Sequence, residues 1–291
     1  MNLQNEKSKS ILAYMGNFFR WSLISIITGL VSGGVGILFV KGLGLANGLR
    51  ASHPEMILGL PLAGLLIVFL YKKCNYEHEK GTNLVISTLH AKEQIPFRMA
   101  PLIFISTILT HMFGGSAGRE GAALQLGGSL GNQLGRWFHL KEDDTRIIVM
   151  SGMSGAFAAI FGTPLAAIIF SMEVGTIGAM HYGALLPCMV SALVASSFAL
   201  SMGCHAEAFT ITEMVDFNIP SALWMVLLGI LCALISMAFC QLLHTSGHLF
   251  KKYMPNAYVR IVVSAFMIIA LTIILQTSAY SGAGVNLIEE A

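Results

Sequence analysis

One pair of oppositely charged residues stands inside a long apolar part of the sequence. Arg119 and Glu120 are the only acidic or basic residues, histidine aside, between Met99 and Gly135. At membrane depth an ionisable side chain costs at least about 2.5–3.5 kcal/mol even on the lenient insertion scale, so its retention points to a function. Two chemistries are open to this pair. It is either a bridge that holds two helices together, or a carboxylate that exchanges protons and competes with anions.

The backbone around the pair favours the second chemistry. Residues 114–121 read GGSAGREG, and an uninterrupted helical pattern follows over residues 122–134. Small residues let the chain open, and the start of a helix offers unpaired N–H groups and a positive dipole end to an anion. The Glu120 carboxylate can occupy that anion site, and protonation would neutralise it and vacate the site. We therefore predict that Glu120 is both gate and proton carrier, with anion contacts from Gly118, Arg119, Gly121 and Ala122.

A second group of polar atoms lies upstream, in residues 81–85, which read GTNLV. Gly81, Thr82 and Asn83 offer backbone N–H groups, a hydroxyl and an amide donor, all of which suit an anion. We predict that these three residues also contact the anion. The alternative is that Thr82 or Asn83 is simply the cap of a helix.

Composition places these segments in a membrane. The 291 residues are 55% hydrophobic and 11% charged, with a mean hydropathy of +0.72, which leaves too little polar surface for a soluble globule. The net charge of +2 is carried by single basic residues at segment ends, a pattern of membrane anchors and not of a nucleic-acid surface. We expect a polytopic membrane protein in contact with lipid, with no nucleic-acid partner.

The apolar pattern predicts nine membrane segments in an all-α fold. They lie at about residues 19–46, 56–72, 97–113, 119–138, 145–161, 163–175, 182–202, 220–246 and 257–276. Glycine or proline interrupts this pattern at Gly81, at 114–115 and at 162–164. Broken helices inside a membrane are tolerated where they line a protected cavity, and in transporters they mark the binding site.

Self-comparison predicts two structural repeats. Residues 81–85 (GTNLV) match 284–288 (GVNLI) with their asparagines 203 positions apart, and the same offset relates Trp21 to Trp224. We predict an N-terminal amphipathic cytoplasmic helix at 1–18, a first repeat at 19–203, a linker at 204–219 and an incomplete second repeat at 220–291. The expectation is that the sequence stops before that repeat ends.

Other chemistries are disfavoured. His244 and His248 are four residues apart, but Thr-Ser-Gly separates them, without the glutamate base of a metalloprotease or an evident third ligand. The five cysteines form no CxxC pair and are expected to be packing residues. His111 is expected to be a core or interface residue, with a proton relay as the alternative. We predict no enzyme activity, no cofactor and no metal site.

At these motifs the sequence resembles a known family. Residues 114–121 are similar to the GREGP signature of the CLC chloride channel and anion/proton antiporter family, and residues 155–173 resemble the stretch that follows it there. The resemblance implies a multi-pass protein of the bacterial inner membrane, built from inverted repeats with broken helices. It also implies a homodimer with one anion pathway per subunit and Glu120 as the external gate.

Three departures from the chloride members resemble the fluoride/proton antiporter branch. The GSGxP motif of the chloride members, whose serine coordinates chloride, is replaced by residues 81–85, and the proline of GREGP is replaced by Ala122. Val174 falls where chloride antiporters carry an internal proton-transfer glutamate. The resemblance thus implies fluoride export coupled to proton import. A chloride channel or chloride/proton antiporter and a fragment without transport activity are the alternatives.

Overall fold

The regular structure of this chain is helical throughout the part that is described. The computed structural model describes residues 2–76, 85–88, 95–175, 178–205, 218–277, 279–282 and 284, with side chains from Tyr14 onward. Its helices are α1 (Asn2–Ser52), α2 (Leu60–Lys73), α3 (Met99–Met112), α4 (Glu120–Trp137), α5 (Glu142–Phe161), α6 (Pro164–Glu173), α7 (Leu185–Ser201), α8 (Ile219–Tyr253) and α9 (Ala257–Leu275). Short 3-10 helices at Pro54–Gly59 and Tyr182–Ala184 precede α2 and α7. The predicted all-α class is confirmed.

Five helices in the described residues are long and apolar enough to cross a membrane. They lie within Tyr14–Ser52, Pro54–Lys73, Tyr182–Ser201, Ile219–Tyr253 and Ala257–Leu275. The helices at Met99–Met112 and Pro164–Glu173 are apolar but shorter, as expected of a fold with helices broken inside the membrane. The polytopic membrane character predicted from composition is confirmed.

Each of the nine predicted segments contains a helix, but two of the helices are longer than predicted. Helix α1 runs unbroken from Asn2 to Ser52, through the domain boundary predicted at residue 18, and α8 continues to Tyr253. No proline interrupts α1, and it ends just before Pro54, whose ring disfavours a helical conformation in the residue that precedes it. The apolar pattern therefore predicted the membrane-crossing part of each helix but not its full length.

The two helix interruptions in the described residues lie at positions where glycine or proline predicted them. Helix α5 ends at Gly162, which has φ +68° in the left-handed region that favours glycine, and Pro164 then opens α6. Between α3 and α4 lies an irregular segment, residues 113–119, which we call the α3–α4 loop. The third predicted interruption, at Gly81, lies outside the described residues.

Helix α5 is the centre of the packing and contacts α4, α7, α1 and α6. Its closest neighbour is α4, and glycines make that approach possible. A Cβ on Gly127 would lie 2.7 Å from the Met153 Cα and would overlap the Gly152 carbonyl oxygen. A Cβ on Gly131 would lie 2.9 Å from the Val149 Cα. The two backbones touch, and this contact fixes the direction in which α4 and its first residue, Glu120, point.

Helices α1 and α7 also meet through small residues. A Cβ on Gly29 would lie 2.7 Å from the Ser191 carbonyl oxygen, and one on Gly33 would lie 3.0 Å from the Ala195 Cβ. The nearby hydroxyl of Ser32 bonds within its own helix, to the Thr28 carbonyl at 2.6 Å. Small-residue contacts of this kind drive helix association in membranes, where lipid is as apolar as the side chains.

A buried amide joins the segment before α3 to α4. The Asn132 side chain is 3% exposed and donates to the Ile95 carbonyl at 2.7 Å. We expect Asn132→Ala to lower stability by about 1–3 kcal/mol, because the buried carbonyl loses its donor. Thermal unfolding in detergent measures the loss. The control is Ser201→Ala, whose hydroxyl donates to the Phe198 carbonyl on an exposed surface. Equal midpoint shifts in the two variants would contradict the prediction.

Helices α8 and α9 are a long helix followed by a shorter one, which is the same order as α1 and α2. Helix α9 packs against α2, so the second helices of the two predicted repeats are in contact. Helix α8 has no buried residue, and its Trp224 is 70% exposed, whereas the matching Trp21 of α1 is 7% exposed. The repeat boundaries at 203, 219 and 220 stay predictions, since residues 206–217 lie outside the described part.

Candidate functional site

The α3–α4 loop begins with a glycine turn that ends α3. Gly114 has φ +78°, and its N–H donates to the His111 carbonyl at 3.2 Å. The Gly115 N–H reaches back to the Thr110 carbonyl at 2.8 Å. This pair of bonds is a Schellman motif, which satisfies the last carbonyls of a helix and requires a left-handed residue where Gly114 stands. The motif turns the chain sharply, so that α4 begins only a few residues later.

The first N–H groups of helix α4 have few described acceptors. In the described part of the chain no backbone carbonyl accepts from the N–H groups of Gly118, Glu120, Gly121 or Ala122. Arg119 is the N-cap residue, but its side chain makes no capping hydrogen bond. A helix start of this kind carries partial positive charge and is a ready site for an anion.

The Glu120 side chain folds back towards this helix start. It is the first residue of α4, and its Oε2 lies 3.0 Å from the position that a Cβ on Gly118 would occupy. A larger residue at position 118 would require the carboxylate to shift by a few tenths of an ångström. Glu120 is exposed and makes no ion pair or side-chain hydrogen bond with any described residue. The negative group thus lies at the helix start, beside Gly118, and no ion pair or side-chain hydrogen bond with a described residue holds it there.

Arg119 points to a different partner. Its guanidinium lies 5.7 Å from the ring centroid of Phe161, the last residue of α5. Phe161 in turn packs on Phe157, with centroids 4.4 Å apart. The cation–π contact connects the start of α4 to the break between α5 and α6. No ion pair between Arg119 and Glu120 occurs among the described residues.

The predicted site residues divide into two groups. Five of them lie together at the start of α4, namely Gly118, Arg119, Glu120, Gly121 and Ala122. Gly81, Thr82 and Asn83 lie outside the described residues. Residues 85–88, further along the chain, are helical. Val85 is buried, and a Cβ on Gly128 of α4 would lie 2.8 Å from its Cγ1. This second group is therefore followed by residues that pack on α4.

Two contacts next to the site were not predicted, and a third neighbour, His111, was expected. The Arg50 guanidinium, at the end of α1, donates through Nη1 to the His111 carbonyl at 3.1 Å. The Ser116 hydroxyl donates to the Tyr280 carbonyl at 2.9 Å. His111 is fully buried, as expected of a core residue, and neither ring nitrogen has a partner among the described residues. Arg50 is a half-buried basic residue that the sequence showed only as a segment flank.

Metal and disulfide chemistry have no visible site in the described part of the chain. No cluster of histidine, cysteine, aspartate or glutamate that could hold an ion occurs there. The five cysteines are free: Cys188 and Cys204 are buried, Cys74 is half-buried, and Cys232 and Cys240 are exposed on α8. Among the described residues, the candidate site therefore consists of the start of α4 and the loop before it.

Comparison with known proteins gives one consistent family. A sequence profile described as voltage gated chloride channel matches residues 63–291. The chain is 36% identical over 242 residues to a chloride/fluoride channel protein of Pseudomonas syringae pv. tomato, covering 83% of this chain and 54% of that protein. It is 25% identical over 288 residues to the H(+)/Cl(-) exchange transporter ClcA of Vibrio cholerae, covering 93% of this chain and 62% of the relative.

A solved structure extends the comparison to three dimensions. The crystal structure of a CLC-type fluoride/proton antiporter superposes with a TM-score of 0.88 at 36% sequence identity, over 93% of this chain and 69% of that chain. The chain spans about half to two thirds of the length of the proteins it matches.

Proposed function

Since the chain belongs to the voltage gated chloride channel family, we propose that it moves halide ions across a membrane, exporting fluoride in exchange for protons with Glu120 as the gate. The members it matches are named as channels and transporters. The fluoride/proton assignment for this chain is supported by the two relatives at 36% identity, one named a chloride/fluoride channel protein and the other a fluoride/proton antiporter.

The observation that carries the proposal is the position of the Glu120 carboxylate. It lies beside Gly118, at a helix start whose N–H groups have no described backbone acceptor. A carboxylate and a halide compete for one such site, because both are anions that accept the same hydrogen bonds. When Glu120 binds a proton it loses its charge and gives up the site, so the entry of anions is linked to protonation. This competition couples the two movements.

The ion itself is inferred from the relatives and from two substitutions. Val174 ends α6 at the position where the chloride antiporters were expected to carry an internal glutamate. It is partly buried against the core around Phe39 and Met153 and offers no titratable group. Thr82 and Asn83 replace the chloride-binding serine motif. Chloride is the second candidate ion, favoured by the 25% identity to a H(+)/Cl(-) exchange transporter over 93% of this chain.

The contact between the end of α1 and the end of α3 supports the proposed orientation. Arg50 lies in the last turn of α1 and donates to the His111 carbonyl, just before the loop that leads to Glu120. If Lys7, Lys9 and Arg20 hold the start of α1 on the cytoplasmic side, the Glu120 end of the site faces outward. We place the protein in the bacterial cytoplasmic membrane, in contact with lipid and as a homodimer.

Halide selectivity tests the ion assignment. We expect proteoliposomes loaded with equal fluoride and chloride to release fluoride at least about tenfold faster, a difference of about 1.4 kcal/mol in the transport barrier. Ion-selective electrodes after addition of a potassium ionophore measure both ions from the same vesicles. Liposomes without protein give the background rate of ion leak. Faster release of chloride would contradict the fluoride assignment and leave the gate unaffected, and release of neither ion would contradict halide transport.

A further inference from the structure

A turn after α9 is docked on the loop that leads to Glu120. Two contacts make this connection, both between parts of the chain that are far apart in sequence. The Ser116 hydroxyl donates to the Tyr280 carbonyl at 2.9 Å. The Arg50 guanidinium lies against Gly282, where a Cβ would overlap its Nη1 and come within 2.8 Å of its Nη2. We call residues 279–282 the docked turn.

Two glycines accommodate the same arginine. Gly114, at the start of the α3–α4 loop, has φ +78°, and a Cβ there would lie 3.7 Å from the Arg50 Cδ. Gly282, in the docked turn, has φ +80°. Both positions therefore need glycine for the backbone conformation, and Gly282 needs it also for the space that the guanidinium fills. The arginine stem lies beside one glycine turn and its charged head beside the other.

The hydrogen bond of Arg50 is placed where it affects the loop. Its acceptor, the His111 carbonyl, also accepts from the Gly114 N–H in the turn that ends α3. A hydrogen bond from a charged donor is stronger than a neutral one. Arg50 thus connects three elements at one point: the end of α1, the beginning of the α3–α4 loop and the docked turn.

We propose that Arg50 is a positioning residue for the gate: its guanidinium holds the α3–α4 loop, and hence Glu120, in a fixed relation to the docked turn. The inference rests on the proposed function, because it assigns a role in proton-coupled halide movement. It adds a residue of α1 that is not among the predicted site residues. The docked turn ends two positions before residues 284–288, the second Asn-Leu element in the sequence.

Arg50→Gln and Gly282→Ala test the proposal together. An arginine side chain can swing aside, so a methyl group at position 282 is expected to displace the guanidinium and not to unfold the turn. We expect each variant to slow fluoride release about tenfold, the factor that corresponds to losing one charge-assisted hydrogen bond. We also expect fewer protons to move per fluoride. The double variant should release fluoride no more slowly than either single variant, because all three variants lose the same contact.

Matched controls separate positioning from general damage. Gly203→Ala places a methyl group at a glycine of φ +76° with nothing within 4 Å, so it carries the backbone strain without the displaced arginine. Arg20→Gln removes an arginine of the same helix, paired with Asp144 at 3.3 Å on an exposed surface. Neither control should change the proton-to-fluoride ratio. A variant that only misfolds lowers both fluxes in proportion, so an unchanged ratio in Arg50→Gln would overturn the proposal.

Arg50→Lys distinguishes geometry from charge. A lysine keeps the positive charge but cannot donate to the His111 carbonyl and also lie flat on Gly282. Compared with Arg50→Gln, we expect Arg50→Lys to recover part of the fluoride flux but little of the proton-to-fluoride ratio. A ratio equal to that of the unmodified protein would show that charge alone suffices and would overturn the positioning role.

A measurement without transport keeps this inference separate from the proposed function. Ala117→Cys places a thiol in the half-buried middle of the α3–α4 loop, in a background where Cys74, Cys232 and Cys240 are replaced by serine. Adding Arg50→Gln should raise the rate of maleimide modification several-fold, and adding Arg20→Gln should not. An unchanged rate overturns the inference even if Glu120 gates transport, whereas a raised rate supports the loop contact even if Glu120 does not.

Discussion

Replacing Glu120 by glutamine is expected to abolish proton movement while fluoride still flows. Glutamine is neutral and of nearly the same shape, so it neither carries a proton nor competes as an anion for the N–H groups at the start of α4. The site then remains open to fluoride, and nothing ties its passage to protonation. Since the described residues give Glu120 no ion pair to break, the substitution removes the chemistry with little change in packing.

The measurement is proton uptake by proteoliposomes that hold a fluoride gradient. The unmodified protein should drive protons uphill until the gradient is spent. Glu120→Gln should show less than about a tenth of that uptake, because glutamine carries no titratable proton. Fluoride release through the variant, followed by electrode in the same vesicles, shows that the protein is folded and inserted.

Glu142→Gln is the matched control. Glu142 opens α5 as Glu120 opens α4, but its carboxylate pairs with Arg146 at 3.7 Å at a partly exposed position. Surface pairs of this kind contribute about 0–1 kcal/mol, so proton coupling should be unchanged. Proton uptake by Glu120→Gln at the level of this control would refute the gate and proton-carrier role of Glu120.

Replacing Gly127 by alanine is expected to separate α4 from α5 and to produce the largest loss of stability. The added methyl group would overlap the Gly152 carbonyl oxygen and come within 2.8 Å of the Ala156 Cβ. Neither neighbour is the end of a flexible side chain, so the helices themselves must move apart. We expect a cost of at least about 3 kcal/mol, at the upper end of overpacking effects, which corresponds to a midpoint about 5–10 °C lower.

The control for Gly127→Ala is the same substitution in a helix without close neighbours. Gly229 lies within α8, and nothing stands within 4 Å of the position that a Cβ there would occupy. Alanine at this position therefore brings only its better helix propensity, up to about 1 kcal/mol. Thermal unfolding of the two variants in the same detergent gives the comparison. Equal midpoints would show that the α4–α5 contact is looser than the structure indicates.

Much of the architecture followed from the sequence. A membrane helix must be apolar over about 20 residues, and a helix end needs a residue that breaks or caps it, so hydropathy and glycine placed nine helices and two breaks near their observed positions. Glu120 was equally visible, because a carboxylate in apolar surroundings stands out by residue type alone. The family motif around it added the expected chemistry.

The sequence could not show which helix faces meet. In a soluble protein the apolar face marks the core, but here lipid-facing and protein-facing positions are both apolar, so the pattern carries little information on burial. Trp21 and Trp224 occupy matching places in the predicted repeats, yet the first is buried and the second exposed. Likewise, the sequences of α4 and α5 showed only that small residues are frequent there. They did not show that these glycines bring the two helix backbones into contact.

Residue type and local sequence were thus enough to predict Glu120 as the gate, whereas the contacts that hold it depend on how distant helices pack. Arg50 and His111 are 61 positions apart, and Ser116 and Tyr280 are 164 apart, so no local pattern links them. Such contacts form because the packing of whole helices brings their ends together, and a half-buried guanidinium then binds whichever carbonyl the packing provides. The chemistry of Glu120 follows from its type, and its geometry follows from the fold.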